Sequence, residues 1–345
     1  MPLSKEQRSI LESIVVRSEN DPANPEFPPD NPRFPATPLI RIDVPSFKDV
    51  SIKDEGRNPT GTHKYRMAWE IVVTYKDILE AIDRGEREAL PGMSILSTGN
   101  AALAIQTMLR KYGLPDLSVL VDTSADSRVT GYLKEKGCRV FSADLTERVL
   151  LSEDILELTN NKQGMDITAG RSFHPLERYY DWFSYEVLNA SPDCVIVPYG
   201  TGDLFGNVIT ISVKEVSAGK HDPRFQGRAN ILRRCNFIGA KTNNPNTRAH
   251  HLYAAHLPFE QVGREIIDGY KSRGLCGRET GIYATGEGHL DEALDIARQH
   301  DIKTSPSGIF GLNWLLENRG TLPKDAKYII VNTGFSEIDR ILAAR

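Results

Sequence analysis

The chain has 345 residues, 40% hydrophobic and 26% charged, with a net charge of −4. That length is long for one core and comfortable for two, and the fractions are those of an ordinary globular protein, not a disordered or fibrous one. Lysine and arginine are spread along the chain and no run of about eighteen apolar residues occurs, so neither a nucleic-acid nor a membrane partner is expected.

Cys138, Cys194, Cys235 and Cys276 form no CxxC pair, which argues against a zinc ribbon or disulfide scaffold and fits a reducing cytoplasm. Cys138 and Cys194 lie beside apolar runs and read as small buried hydrophobes. MPLSKEQRSILESIVVRSEN carries charges throughout and lacks an apolar core, so a signal peptide is not expected and a cytoplasmic protein is.

A short helical pattern opens the chain. The prolines of NDPANPEFPPDNPRFPATPL then exclude helix and central strand and predict an extended surface segment. VSIKD is the first candidate strand, and a helix is predicted from Tyr65 to Arg84. Its Trp69, Ile71, Val72, Val73, Ile78, Leu79 and Ile82 make an apolar surface too wide for an exposed helix, so it should be buried. The strand MSILS leads to a helix from Ala101 to Tyr112, followed by the strands LSVLVD and CRVFSA. A helix from Tyr179 to Leu188 bears an aromatic stripe (Tyr179, Tyr180, Trp182, Phe183, Tyr185) that reads as packing, not as a ligand box. The strand CVIVPYG runs into the apolar helix VITISV, and the strand NFIGA follows. Helices are predicted from Pro258 to Ser272, Leu290 to Gln299 and Gly308 to Glu317, before a last strand, KYIIVNT. This alternation predicts an α/β protein of βαβ units, with mainly parallel twisted sheets and helices on both faces.

Parallel sheets bind ligands where strands run out into loops, and four such places carry unusual residues. In KDEGRNPTGTHKYR, Pro59 and Gly61 make a tight turn and Thr60 or Thr62 can cap the next helix. Lys64 falls in the first helical turn, where the macrodipole disfavours a cation and favours the neutral, nucleophilic amine; the plainer reading is a turn and an exposed lysine. Ser97, Thr98, Gly99 and Asn100 form either an anion cradle at a helix start or a routine cap. Gly200, Thr201, Gly202, Asp203 and Leu204 let backbone N–H groups approach a phosphate. Their spacing is neither GxGxxG with a following acid nor GxxxxGK[ST], so one phosphate is expected instead of a nucleotide triphosphate; a ligand-free glycine turn is the other reading. Asn332-Thr333-Gly334 ends the last strand, where a hydroxyl is usually only a cap or turn residue.

Together KDEGRNPTGTHKYR, STGNAALA, PYGTGDLFG and NTGFSE resemble, in order and spacing, the fold-type II pyridoxal-phosphate (PLP) enzymes of the tryptophan-synthase-β-like family, over most of the chain from about Thr37 onward. KDEGxNPTGTxK is similar to threonine synthase, GTGDL to the GTGGT of cysteine synthases, and STGNAA to the asparagine loops of both. The resemblance implies two lobes: a large PLP-phosphate-binding domain from residues 1–50 and 171–345, and a smaller mobile domain, 51–170, carrying Lys64 and the STGN loop. It implies that Lys64 is the Schiff-base lysine and α-proton base, and that Asn100 hydrogen-bonds the cofactor's ring hydroxyl. Ser97, Thr98, Gly99 and Asn100 would bind the substrate carboxylate, Gly200 to Leu204 the cofactor phosphate, and Thr333 would lie at the pyridine nitrogen. A neutral hydroxyl there leaves the ring largely unprotonated, a weaker electron sink that suits prompt loss of a β- or γ-substituent better than transamination.

Three positions depart from the family pattern: Tyr65 after Lys64, Asp203-Leu204 in place of Gly-Thr, and KTSPSG without an acid before PSG. The resemblance therefore implies a PLP-dependent lyase or synthase acting on an amino acid, with threonine-synthase-like γ/β chemistry first and β-replacement or deamination second. A homodimer is implied too. A binding protein that retains the pocket leaves Lys64 without a use, and a nucleotide enzyme lacks both the ribose acid and the Walker lysine. His250, His251 and His256 share no clean helical face and no carboxylate motif, so no metal site is expected.

Overall fold

The computed structural model describes residues 4–12, 36–97, 99–146, 148–168, 180–253 and 263–344. Ten strands occur among them: β1 (Leu39–Ile42), β2 (Asp49–Asp54), β3 (Met93–Leu96), β4 (Ser118–Asp122), β5 (Arg139–Ala143), β6 (Met165–Asp166), β7 (Cys194–Pro198), β8 (Asn236–Lys241), β9 (Gly281–Ala284) and β10 (Lys327–Asn332). The described residues fall into two units, one drawn from Met1–Ser18, Thr62–Tyr179 and Ser336–Arg345, the other from Glu19–Gly61 and Tyr180–Phe335.

The larger unit is built on a six-stranded sheet in the order β1-β2-β10-β7-β8-β9. β1 pairs antiparallel with β2 and the other neighbours are parallel. Val195, Ile196 and Val197 of β7 and Ile329, Ile330 and Val331 of β10 are all fully buried. Such continuous apolar runs mark strands covered on both faces, and Phe310, Leu315 and Ile296, from the helices Phe310–Glu317 and Leu290–Gln299, pack into the core on this sheet. β1 sits on the sheet edge, where a proline-flanked strand is tolerated.

The smaller unit has a four-stranded parallel sheet, β5-β4-β3-β6. Its helix Lys64–Asp83 packs against the helix Asn100–Lys111 and buries Met67, Ile71, Val72, Tyr75 and Leu79, as its wide apolar surface predicts. The expected α/β class, with mainly parallel sheets flanked by helices, therefore holds in both units.

Three segments lie elsewhere than the sequence division placed them. Residues 4–12 go with the smaller unit, where Arg8 pairs with Asp83 at 2.7 Å. Residues 51–61 go with the larger unit because β2 makes a six-residue parallel ladder with β10. Residues 336–345 go with the smaller unit because the helix Glu337–Ala343 packs on Ser127–Glu135. All four cysteines are buried, and burial raises each thiol, Cys138 to about 12. No helix among the described residues is long and apolar enough to cross a membrane.

Candidate active site

In the larger unit, β7 delivers the glycine loop. Tyr199 N donates to Ala240 O at 2.8 Å, carrying the strand one step past Pro198 before the chain turns. Both glycines that follow are required by geometry. A Cβ on Gly200 would stand 2.8 Å from His251 O, and Gly202 has φ +91°, with its Cβ position 2.8 Å from Tyr199 Oη. Gly202 is also the N-cap of the 19-residue helix Asp203–His221 and has no side chain to cap it. The first N–H groups of that helix thus point out of the loop with the positive end of the dipole behind them. Thr201 Oγ1 donates to Asp203 Oδ2 at 3.1 Å, while Leu204 is buried and offers the loop only its backbone.

β10, hydrogen-bonded beside β7, ends at Asn332-Thr333-Gly334. Thr333 is half-buried and its N–H donates to Gly308 O at 3.1 Å. Asn332, fully buried, holds this turn. Its Nδ2 donates to Asp54 Oδ1 at 2.7 Å and to Lys303 O at 3.0 Å, and its Oδ1 accepts from Thr304 Oγ1 at 2.6 Å and Gly334 N at 3.0 Å. Ser305 closes the other side, donating from N and Oγ to Gly334 O at 3.2 Å. Asn332 and Ser305 were not singled out from sequence, although both stand inside the NTG and SPSG stretches that were.

In the smaller unit, Lys64 is the first residue of the 20-residue helix Lys64–Asp83. The expected cap is not formed. His63, already near helical at φ −55° and ψ −20°, takes the N-cap place and makes no side-chain cap bond. The buried hydroxyls of Thr60 and Thr62 have no hydrogen-bond partner among the described residues. The tight turn before them is as expected, with Gly61 at φ +77° donating to Asn58 O at 2.8 Å. Tyr65 is a protonated phenol, its pKa raised by burial.

β3 leads to the second predicted loop, of which Thr98 lies outside the described residues. Ser97 is buried and its Oγ accepts from Gly99 N at 3.2 Å. Gly99, at φ +137°, caps the 12-residue helix Asn100–Lys111 without a side chain, and a Cβ there would meet Ile338 at 2.8 Å. Asn100 opens that helix with its amide tied to Ser336 and Asp339, two residues the sequence reading passed over.

The predicted residues thus gather in two groups, Gly200–Leu204 with Thr333 on neighbouring strand ends, and Lys64 with Ser97–Asn100 at the starts of two packed helices. The three helices that begin at these places have no side-chain cap, as is true of most described α-helices, Ser127–Glu135 and Glu337–Ala343 being capped by Asp126 and Ser336. Three uncapped starts suit anionic ligand groups. His250 and His251 form a short turn with their rings 4.1 Å apart; His256 lies outside the described residues.

A family model described as "Pyridoxal-phosphate dependent enzyme" matches residues 32–334. No curated protein matches the sequence. Among solved structures, the chain is similar to diaminopropionate ammonia lyase from Escherichia coli in complex with an aminoacrylate-PLP azomethine reaction intermediate, with a TM-score of 0.63, 13% identity and coverage of 98% of this chain and 91% of that one. It is similar to maize serine racemase (TM-score 0.62, 16% identity, 90% and 91% covered) and to an O-ureido-L-serine synthase (0.60, 15%, 98% and 93%).

Proposed function

The chain belongs to the pyridoxal-phosphate dependent enzyme family, and from that premise we propose that it eliminates or replaces a substituent at the β- or γ-carbon of an amino acid. The observation that carries this reading is the amine of Lys64, set as the first residue of an uncapped helix directly after the NPTGT turn.

The residues present fit the cofactor. Gly200 and Gly202 let the chain pass tightly against His251 O and Tyr199 Oη, where a Cβ would clash, and so form a glycine loop of bare backbone at an uncapped helix start, which supports seating a phosphate on its N–H groups. The buried Thr62 hydroxyl, two residues before Lys64, has no hydrogen-bond partner among the described residues, which supports a polar ligand beside the lysine. When bound, PLP supplies an electron sink for bonds at the substrate's α-carbon.

Lys64 would hold the cofactor through Nζ, and the same amine, when free, would serve as the base for the substrate's α-proton. The positive end of its helix favours the neutral amine that both tasks need. Gly200 to Leu204 hold the phosphate through backbone N–H groups. The loop of Ser97, Thr98, Gly99 and Asn100 takes the substrate carboxylate at the other uncapped start, with Asn100 also donating to the cofactor's ring oxygen. Thr333 would offer its neutral hydroxyl to the ring nitrogen, a partner that does not protonate it, which would favour departure of a leaving group over transamination. Threonine-synthase-like γ/β chemistry is the first reading and β-replacement or deamination the second. The working form is taken to be a homodimer.

The test is a panel of hydroxy-amino acids and of amino acids with an activated β- or γ-oxygen, incubated with PLP-loaded protein with and without a thiol nucleophile. Release of a keto acid, a rearranged hydroxy-amino acid or a thioether amino acid identifies the branch. No turnover of any member, with PLP nonetheless bound, would leave a binding protein and overturn the catalytic reading.

A further inference from the structure

Asn100 lies 239 residues before Asp339 in the chain, yet its side-chain amide is held by the capping box of the helix Glu337–Ala343. Asn100 Nδ2 donates to Asp339 Oδ2 at 3.2 Å, and Ser336 Oγ stands 2.5 Å from Asn100 Oδ1. Asp339 and Ser336 are both about 4% exposed, so these bonds form away from water. We infer that Asp339 and Ser336 are positioning residues that fix the amide of Asn100 in one orientation and present it to the ligand as a hydrogen-bond donor.

The orientation follows from what each group can do. An ionised carboxylate only accepts, so the atom facing Asp339 Oδ2 must be the amide nitrogen; flipping the amide would set two acceptor oxygens against each other. The other side then presents Oδ1, which needs a donor. Ser336 has one hydroxyl proton and two acceptors in reach, Asn100 Oδ1 at 2.5 Å and Asp339 Oδ2 at 2.9 Å. Asp339 Oδ2 is already served by Ser336 N at 2.8 Å and by Asn100 Nδ2, so the proton belongs on the shorter contact to Asn100. One N–H of Asn100 is used in this way, and the second has no partner among the described residues. A group so arranged recognises an acceptor oxygen, and best an anionic one such as a phenolate.

Nothing in helix capping requires this arrangement. Ser336 caps its own helix by accepting from Ile338 N and Asp339 N, at 3.0 and 3.3 Å, which leaves its proton free to act on Asn100. The same two side chains therefore close the helix start and set the amide.

This inference rests on the reading that Asn100 faces the ring oxygen of PLP, and its test separates the two. The ring oxygen's protonation sets the ratio of the two tautomeric absorption bands of lysine-bound PLP, and a fixed N–H donor favours the unprotonated form. Ser336→Gly preserves a serviceable N-cap but donates nothing. Ser336→Thr restores the hydroxyl. Wild type, both variants and Lys64→Ala are loaded with PLP, their spectra recorded, and the thermal midpoint of each apo-protein measured. The expected result is a band ratio shifted by about 2- to 10-fold in Ser336→Gly, the effect of one hydrogen bond, and restored in Ser336→Thr. An unshifted ratio in Ser336→Gly, alongside a Lys64-dependent band, would overturn the positioning role and leave a cap alone. A wild-type protein with no Lys64-dependent band would overturn the reading of the site, and this inference with it.

Discussion

Asn332 shows how a single buried amide can shape the turn that ends a strand. It joins Asp54 on the neighbouring strand to the carbonyl of Lys303 and takes the Thr304 hydroxyl and the Gly334 N–H on its oxygen, all within 3.0 Å. Asn332→Leu keeps the volume and removes every one of these bonds, orphaning buried groups that cost about 1–3 kcal/mol each. The apo-protein should lose about 2–4 kcal/mol of unfolding free energy, read from urea denaturation, and PLP affinity should fall as the Thr333 backbone shifts. An unchanged urea midpoint would show that the turn holds itself. At this scale the sequence was legible where chemistry is local and opaque where it is not. Lys64, Thr333 and the glycines announce themselves within four or five residues of chain. The cap assigned to Thr60 or Thr62 failed because His63 is already nearly helical and takes the position first. The grip of Ser336 and Asp339 on Asn100 spans more than two hundred residues of chain and has no local sign, which is why both were passed over.

The glycine loop and its helix act as one element. Gly202 sits at φ +91°, where an L-residue costs about 1–2 kcal/mol. A Cβ there would also clash with Tyr199 Oη at 2.8 Å and push the loop out of place. Gly202→Ala should therefore weaken PLP binding by roughly tenfold or more, since about 1.4 kcal/mol corresponds to a factor of ten. Gly227, on the helix Gln226–Leu232, has open space around its Cβ position and no positive φ. Gly227→Ala should raise stability by up to about 1 kcal/mol without altering PLP affinity. Fluorescence titration with PLP and thermal melts check both, and equal affinities for the two variants would contradict the cradle. Element by element, strongly periodic segments were read best. The helix Leu290–Gln299 was bounded as it stands, and the seven candidate strands all formed. The helices Ser127–Glu135, Ser152–Leu158 and Gln226–Leu232 were not anticipated: they are short, with few buried residues each. β1, β6 and β9 were missed for a related reason: β6 has only two residues, and those of β1 and β9 are mostly half-buried or exposed and give little apolar signal.

Across the whole molecule, the alternation of strand and helix was enough to give two parallel α/β sheets, but not which residues belong to which unit. β2 reads in sequence as the start of the segment that carries Lys64. Its six-residue ladder with β10 assigns it instead to the larger unit, and strand partnership is invisible until distant segments pair. The C-terminal helix is the converse case, continuing directly from the Thr333 turn yet packing in the smaller unit. The central claim is that Lys64 is the covalent anchor of PLP. The most direct measurement is to load purified protein with PLP, reduce the lysine–PLP link with borohydride, digest, and locate the labelled peptide by mass spectrometry, with Lys64→Ala treated in parallel. The account predicts one stoichiometric label on Lys64 and none in the variant. A label on another lysine, or equal labelling of the variant, would contradict it.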